Sequence, residues 1–144
     1  MAALEMGRRL ASSSVEERVV IRAAQDVANL LMAEMSMLKQ EHLRVLLLTT
    51  KNHVSAIHPI YVGTVNTSLV RAAEVFRPAI RENSPAIILV HNHPSGDPTP
   101  SRQDIELTRQ LRQAGAVLNV ELMDHIILGG GNFVSIKDKG WATV

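Results

Sequence analysis

Ala86-Ile87-Ile88-Leu89-Val90-His91-Asn92-His93-Pro94 decides the fold of this chain. The first five residues are apolar and rich in β-branched side chains, the composition of a buried strand. Strand side chains alternate, so His91 and His93 project together from its C-terminal end. Asp104 follows at the start of the next helical pattern and can supply a third ligand. Two imidazoles and one carboxylate leave one position open on a tetrahedral zinc, the arrangement of a catalytic site rather than a structural one.

Downstream, Pro94, Pro98 and Pro100 stiffen the connection and Gly96 permits an unusual backbone angle, so the chain can return to the metal within few residues. Ser101 to Ala114 reads as a helix, with Gly115 where a left-handed stop would sit. Ser101 and Asp104 also have the spacing of a capping box, a local role that needs no metal. Val117 to Leu128 and Asn132 to Ile136 read as strands, joined by Gly129-Gly130-Gly131.

Upstream, Leu43 to Leu48 and Val54 to Val62 read as a hairpin through Thr49 to His53. Leu69 to Arg81 reads as a helix that Pro78 should kink or divide. Val15 to about Met35 reads as a helix, with Ser14 and Glu17 as a capping box and apolar residues from Val20 to Met35 at helical spacing. Met1 to Arg9 is a short helical piece. Strands and helices mix without strict alternation, which predicts an α+β fold: a mixed central β-sheet flanked by helices.

Composition narrows the function. At 144 residues with 46% hydrophobic content, the chain can build a real core. A net charge of +1 and 3% aromatic residues argue against strong capture of nucleic acid. There is no cysteine, hence no disulfide framework and no thiolate metal site. That fits a cytoplasmic protein, and no stretch is long and apolar enough to span a membrane.

A metal hydrolase also needs a base to take a proton from the attacking water. Glu41, at the mouth of the Leu43 to Leu48 strand, is the candidate. Glu74, on the helix before the metal strand, is its rival, and a solvated surface carboxylate is the simpler reading of it.

The string His91-Asn92-His93-Pro94, then Ser101, then Asp104 resembles the JAMM (MPN+) metalloprotease signature. With Val75-Phe76-Arg77-Pro78-Ala79-Ile80, Ser95-Gly96, Pro100 and Leu122-Met123-Asp124-His125, it resembles the bacterial RadC family, long labelled a DNA repair protein. The likeness runs from about Glu41 to Trp141 and implies an MPN/JAB, cytidine-deaminase-like sandwich. It implies a division into an N-terminal helical segment, 1–36, and a metal-binding domain, 37–144. Met1 to Leu10 resembles the tail of the helical region that precedes this domain in RadC proteins. Their helix-hairpin-helix-like part is missing here, so a shortened chain is expected. RadC-like sequences often read Pro-Arg-Glu where this chain has Ala72-Ala73-Glu74, a departure outside the metal motif.

The resemblance assigns His91, His93 and Asp104 to one zinc ion, Glu41 to general base and Ser101 to oxyanion stabilisation. It gives Asp124-His125 no firm role beyond a supporting contact. The function implied is a zinc-dependent peptidase or isopeptidase acting on a peptide or protein substrate. The alternative is a non-catalytic DNA-repair or recombination accessory, which the family label favours and the charge does not.

Overall fold

In a computed structural model that describes residues 19–142, the elements are α1 (Ala24–Met35), β1 (His42–Leu48), β2 (Val54–Val62), α2 (Ala72–Arg81), β3 (Ala86–Asn92), α3 (Arg102–Leu118), β4 (Glu121–Gly129) and β5 (Asn132–Ser135). The strands form one sheet in the order β2-β1-β3-β4-β5. β1 runs antiparallel to both β2 and β3. β3 and β4 are parallel, and β5 returns antiparallel to β4. The sheet is therefore mixed, and the α+β expectation holds. Met1 to Arg9 and the Ser14–Glu17 pair lie outside the described residues.

β3 sits at the centre, and every one of its residues is buried. That requires cover on both faces, and alternation assigns the cover. Ile87 and Leu89 pack with Leu43, Val45 and Leu47 against Phe76 of α2 and Leu107 and Leu111 of α3. Ile88 and Val90 pack with Leu46, Leu48, Ile126 and Leu128 against Val27, Leu31 and Met35 of α1. Burial of each large aliphatic side chain contributes about 1.5–3 kcal/mol. The sheet is thus the middle of three layers, and the end of β3 has packed helices on both sides.

Four local expectations are corrected. The helix expected from Val15 begins at Ala24. Before it, Val20 bridges His53, the Ile21 N–H donates to Asn52 O at 2.9 Å and the Val54 N–H donates to Val19 O at 2.8 Å. The apolar spacing there serves an extended segment that buries Ile21, not a helix. Asp26 caps the true start, accepting the Arg22 and Ala23 N–H groups at 2.8 and 3.0 Å.

The helix expected from Leu69 starts at Ala72, and Pro78 does not divide it. Pro78 sits in the last turn, where it removes a single backbone donor. The helix stops beyond it: Asn83 turns left-handed (φ 56°) and the Ser84 N–H reaches Ala79 O at 2.8 Å.

α3 runs through Val117 and Leu118, so the strand expected from Val117 begins at Glu121. Its left-handed stop is Asn119 (φ 60°), not Gly115. Gly115 lies inside the helix for a different reason. A Cβ there would stand 2.4 Å from Val120 O and 3.1 Å from Cζ of Phe76.

Candidate metal centre

Three stretches of chain converge at the C-terminal end of β3. β3 delivers His91 on the face of Ile87 and Leu89, toward α3. The His93 N–H donates to Leu128 O at 2.8 Å, so strand pairing continues past Asn92 and both imidazoles stay on one side. Their ring centroids are 4.8 Å apart. Leu43 of β1 pairs with His91, which sets Glu41, two residues earlier, beside the histidines. α3 brings Asp104 up from below.

Asp104 caps its helix and faces the histidines. Ser101 caps α3: its Oγ accepts the Asp104 N–H at 3.0 Å, and Asp104 Oδ2 accepts the Ser101 N–H at 2.8 Å. The same carboxylate faces the histidines. Oδ1 lies 3.5 Å from His91 Nε2, and Oδ2 lies 3.2 Å from His93 Nε2. Glu41 Oε1 is 3.3 Å from His91 Nε2 and 4.0 Å from His93 Nε2. Glu41, His91 and His93 form a group that could hold a metal ion, their donor atoms all lying within 4.8 Å of one another. Glu74 is not among the converging residues; it stands on α2 with Arg71 3.9 Å away.

The donors fit a cation. His91 Nε2 is buried and has no hydrogen-bond partner, yet it points at two carboxylates. Such an orphaned atom costs about 1–3 kcal/mol unless something binds it. His93 is prepared differently. Its Nδ1 lies 2.8 Å from Asp97 O, a carbonyl that can only accept, so Nδ1 carries a proton and Nε2, 3.2 Å from Asp104 Oδ2, is the ring atom turned to the site.

Electrostatics agree. Burial pushes the Asp104 pKa up, but the hydrogen bond with His93, the neighbouring His91 and the Ser101 N–H outweigh it and hold the carboxyl at about 2. The hydrogen bond with Asp104 raises His93, against the opposing effect of burial. Asp104 is therefore an anion over the whole neutral range, nearly sealed from solvent, whereas the Glu41 side chain keeps 28% of its exposure.

The loop between the histidines and α3 rests on the β4–β5 turn through bare backbone. A Cβ on Gly130 (φ 59°) would stand 2.4 Å from Gly96 O, and one on Gly129 would stand 3.1 Å from Gly96 C. Above the loop, Glu41, Thr64, Val65, His93, Ser101 and Gln103 line an open depression beside the donor atoms.

The sequence reading gave Asn92 and Thr108 no role, and His125 only a supporting contact. Asn92 turns to the opposite face from the histidines, where its Oδ1 accepts the His42 N–H at 2.8 Å and its Nδ2 donates to Gln40 O at 3.0 Å. His125 lies fully buried, with Nε2 2.9 Å from His91 Nδ1. Thr108 lies 2.6 Å from His125 Nδ1. A signal existed for Thr108, which follows Asp104 by one helical turn; none existed for the pairing of residues 34 apart in the chain.

Comparison with known proteins agrees with this geometry. The family described as the RadC-like JAB domain matches residues 21–141. A UPF0758 protein of Chloroflexus aurantiacus is 58% identical over 139 residues, 96% of this chain and 61% of that protein. UPF0758 proteins of Roseiflexus castenholzii and Desulfitobacterium hafniense are each 54% identical, over 99% and 96% of this chain and 61% of their own length. The chain thus spans about three-fifths of the relatives it matches. Among the described residues, no helix is long and apolar enough to cross a membrane. With the five-stranded mixed sheet, the paired histidines at the end of its central strand and a match that covers nearly every described residue, the chain belongs to the RadC-like JAB domain family.

Proposed function

We propose that this chain is a zinc-dependent amide hydrolase, a peptidase or isopeptidase that cleaves by attack of water on the carbonyl. The observation that carries the reading is the orphaned Nε2 of His91, buried and aimed at two carboxylates. Burial and charge support the division of roles. Asp104 faces His91 with Oδ1 at 3.5 Å and His93 with Oδ2 at 3.2 Å, an anion almost sealed from solvent. Glu41 faces both histidines with Oε1, at 3.3 and 4.0 Å, and keeps 28% of its exposure. In this proposal His91, His93 and Asp104 are the zinc ligands, and the more exposed Glu41 acts on water.

Bound zinc would polarise the scissile carbonyl and make water a better nucleophile at neutral pH. The chain supplies the rest. Glu41, partly exposed at the rim, takes a proton from the attacking water and returns it to the leaving amine. Ser101 Oγ already accepts from the Asp104 N–H, which leaves its own hydroxyl proton to donate to the carbonyl oxygen as negative charge develops. The depression lined by Thr64, Val65 and Gln103 receives the chain on either side of the scissile bond.

The test is metal content by mass spectrometry on protein purified without a metal-affinity tag, with turnover measured on a peptide and isopeptide panel. Stoichiometric zinc in the wild type, little in Asp104→Ala, and full zinc without turnover in Glu41→Gln are expected. No bound metal, and none taken up from added zinc, overturns the proposal. Stoichiometric zinc with no hydrolysis of any panel member turns it toward a binding module linked to DNA repair.

A further inference from the structure

His91 Nδ1, His125 and Thr108 form one line of hydrogen bonds, and the directions along that line are forced. Thr108 Oγ1 lies 2.6 Å from the Asp104 carbonyl oxygen, one turn back along α3. A carbonyl has no proton to give, so the threonine hydroxyl donates there. A hydroxyl has one proton. Thr108 Oγ1 must therefore accept from His125 Nδ1, 2.6 Å away. The His125 ring is sealed from water, where a second proton is disfavoured, so with Nδ1 protonated its Nε2 is an acceptor. His91 Nδ1, 2.9 Å from that Nε2, then has to donate. Once Nδ1 carries the proton, Nε2 of a neutral His91 is a bare lone pair.

We infer that His125 and Thr108 are positioning residues that lock His91 into the tautomer whose Nε2 is free to bind a metal. The lock starts from a fixed point, the backbone of Asp104 itself. Its geometry is also closed: His91 on β3, His125 on β4 and Thr108 on α3 belong to three different elements, all buried. Rotation of the His91 ring breaks the bond to His125, and a flip of His125 strands two ring nitrogens in a dry interior. His91 thus obtains from a side-chain relay what His93 obtains from the carbonyl of Asp97. The consequence for metal binding rests on the zinc reading above; the tautomer itself does not.

Two experiments separate these. The first is ¹⁵N NMR of the histidine rings in the metal-free wild type, with the pH raised until the His91 ring is uncharged, so that only its tautomer is read. A protonated Nδ1 and an unprotonated Nε2 on His91 are expected, and the reverse tautomer overturns the inference whatever the protein does with metal. The second is zinc affinity by chelator competition in Thr108→Val and Thr108→Ser. Valine keeps the shape but cannot accept from His125, so affinity should fall about 10–100-fold. Serine keeps the hydroxyl and should stay within a few-fold of wild type. Equal affinity in all three proteins overturns the lock, and so does a serine variant as weak as the valine one while still folded by circular dichroism. His125→Gln, read by the same competition, should resemble Thr108→Val. A wild type that takes up no zinc yet shows the expected tautomer removes the zinc reading and leaves the lock in place.

Discussion

Asn92 holds Glu41 by the backbone on either side of it. Its amide oxygen accepts from the His42 N–H and its amide nitrogen donates to Gln40 O, at 2.8 and 3.0 Å. The residue between the two histidines thus fixes the strand entrance that carries the proposed base. Asn92→Ala should leave zinc stoichiometry intact and lower turnover about 10–100-fold. It should also cost about 1 kcal/mol, because two part-buried backbone groups lose their partner. Metal content, kcat and a urea midpoint on the same preparation check all three.

Ser101 serves the helix and the proposed reaction with different parts of one hydroxyl. Ser101→Ala should cost about 1 kcal/mol through the lost cap. Turnover should fall by about 10²–10³ through the lost donor to the oxyanion. Ser101→Gly separates the two: glycine is a tolerable cap but no donor, so stability should recover more than kcat. Parallel thermal melts and kinetics decide it.

Gly115→Ala sets two effects of opposite sign against each other. Alanine in a helix interior gains about 1 kcal/mol over glycine. Here the new methyl would stand 2.4 Å from Val120 O, a backbone atom of a residue whose N–H is tied to Gly115 O, and 3.1 Å from Phe76. Overpacking of this kind costs about 1–3 kcal/mol. The clash should win, and a denaturation midpoint below that of the wild type is expected.

Acid should weaken the metal-free protein before its carboxylates titrate. Burial pushes His125 from 6.5 down to about 3. Between those values the unfolded chain binds a proton that the folded chain does not, so stability falls as pH falls. Asp104, held at about 2, adds the same sign below its ordinary 3.8. Asp124 opposes them, since burial raises it and folding then favours its protonated form. His125→Gln should flatten the slope of stability against pH in the window between 6.5 and about 3. Urea midpoints measured across that window with chelator present test the sign.

The central strand, the histidine pair and the Ser101–Asp104 helix start were legible because each follows from local periodicity or local spacing. Glu41 was reachable only as a carboxylate at a strand mouth, and the pairing of Leu43 with His91 is what brings it to the site. Helix ends were harder. Val19 to Ala23 has apolar residues at a spacing that suits a helix, yet pairing with Asn52, His53 and Val54 takes the backbone elsewhere. Gly115 has the composition of a stop, but Phe76 and Val120 explain it better, and both contacts are tertiary. His125 sits in a run that reads as strand core, and nothing local announces that its ring meets a residue far away in the chain.

The contact between Gly96 and Gly130 has a consequence for how this centre can be altered. Two main chains touch there with no side chain between them, so the seat of the histidine loop is defined by missing atoms. Substitution at either glycine can only add volume; there is nothing to trim, and no smaller residue to try. Fine adjustment of the loop is therefore closed at its base and open only along its crest, at Ser95, Asp97 and Thr99, whose side chains bond within the loop and face outward. A selection for altered substrate preference should collect its changes on that crest and leave the two glycines untouched.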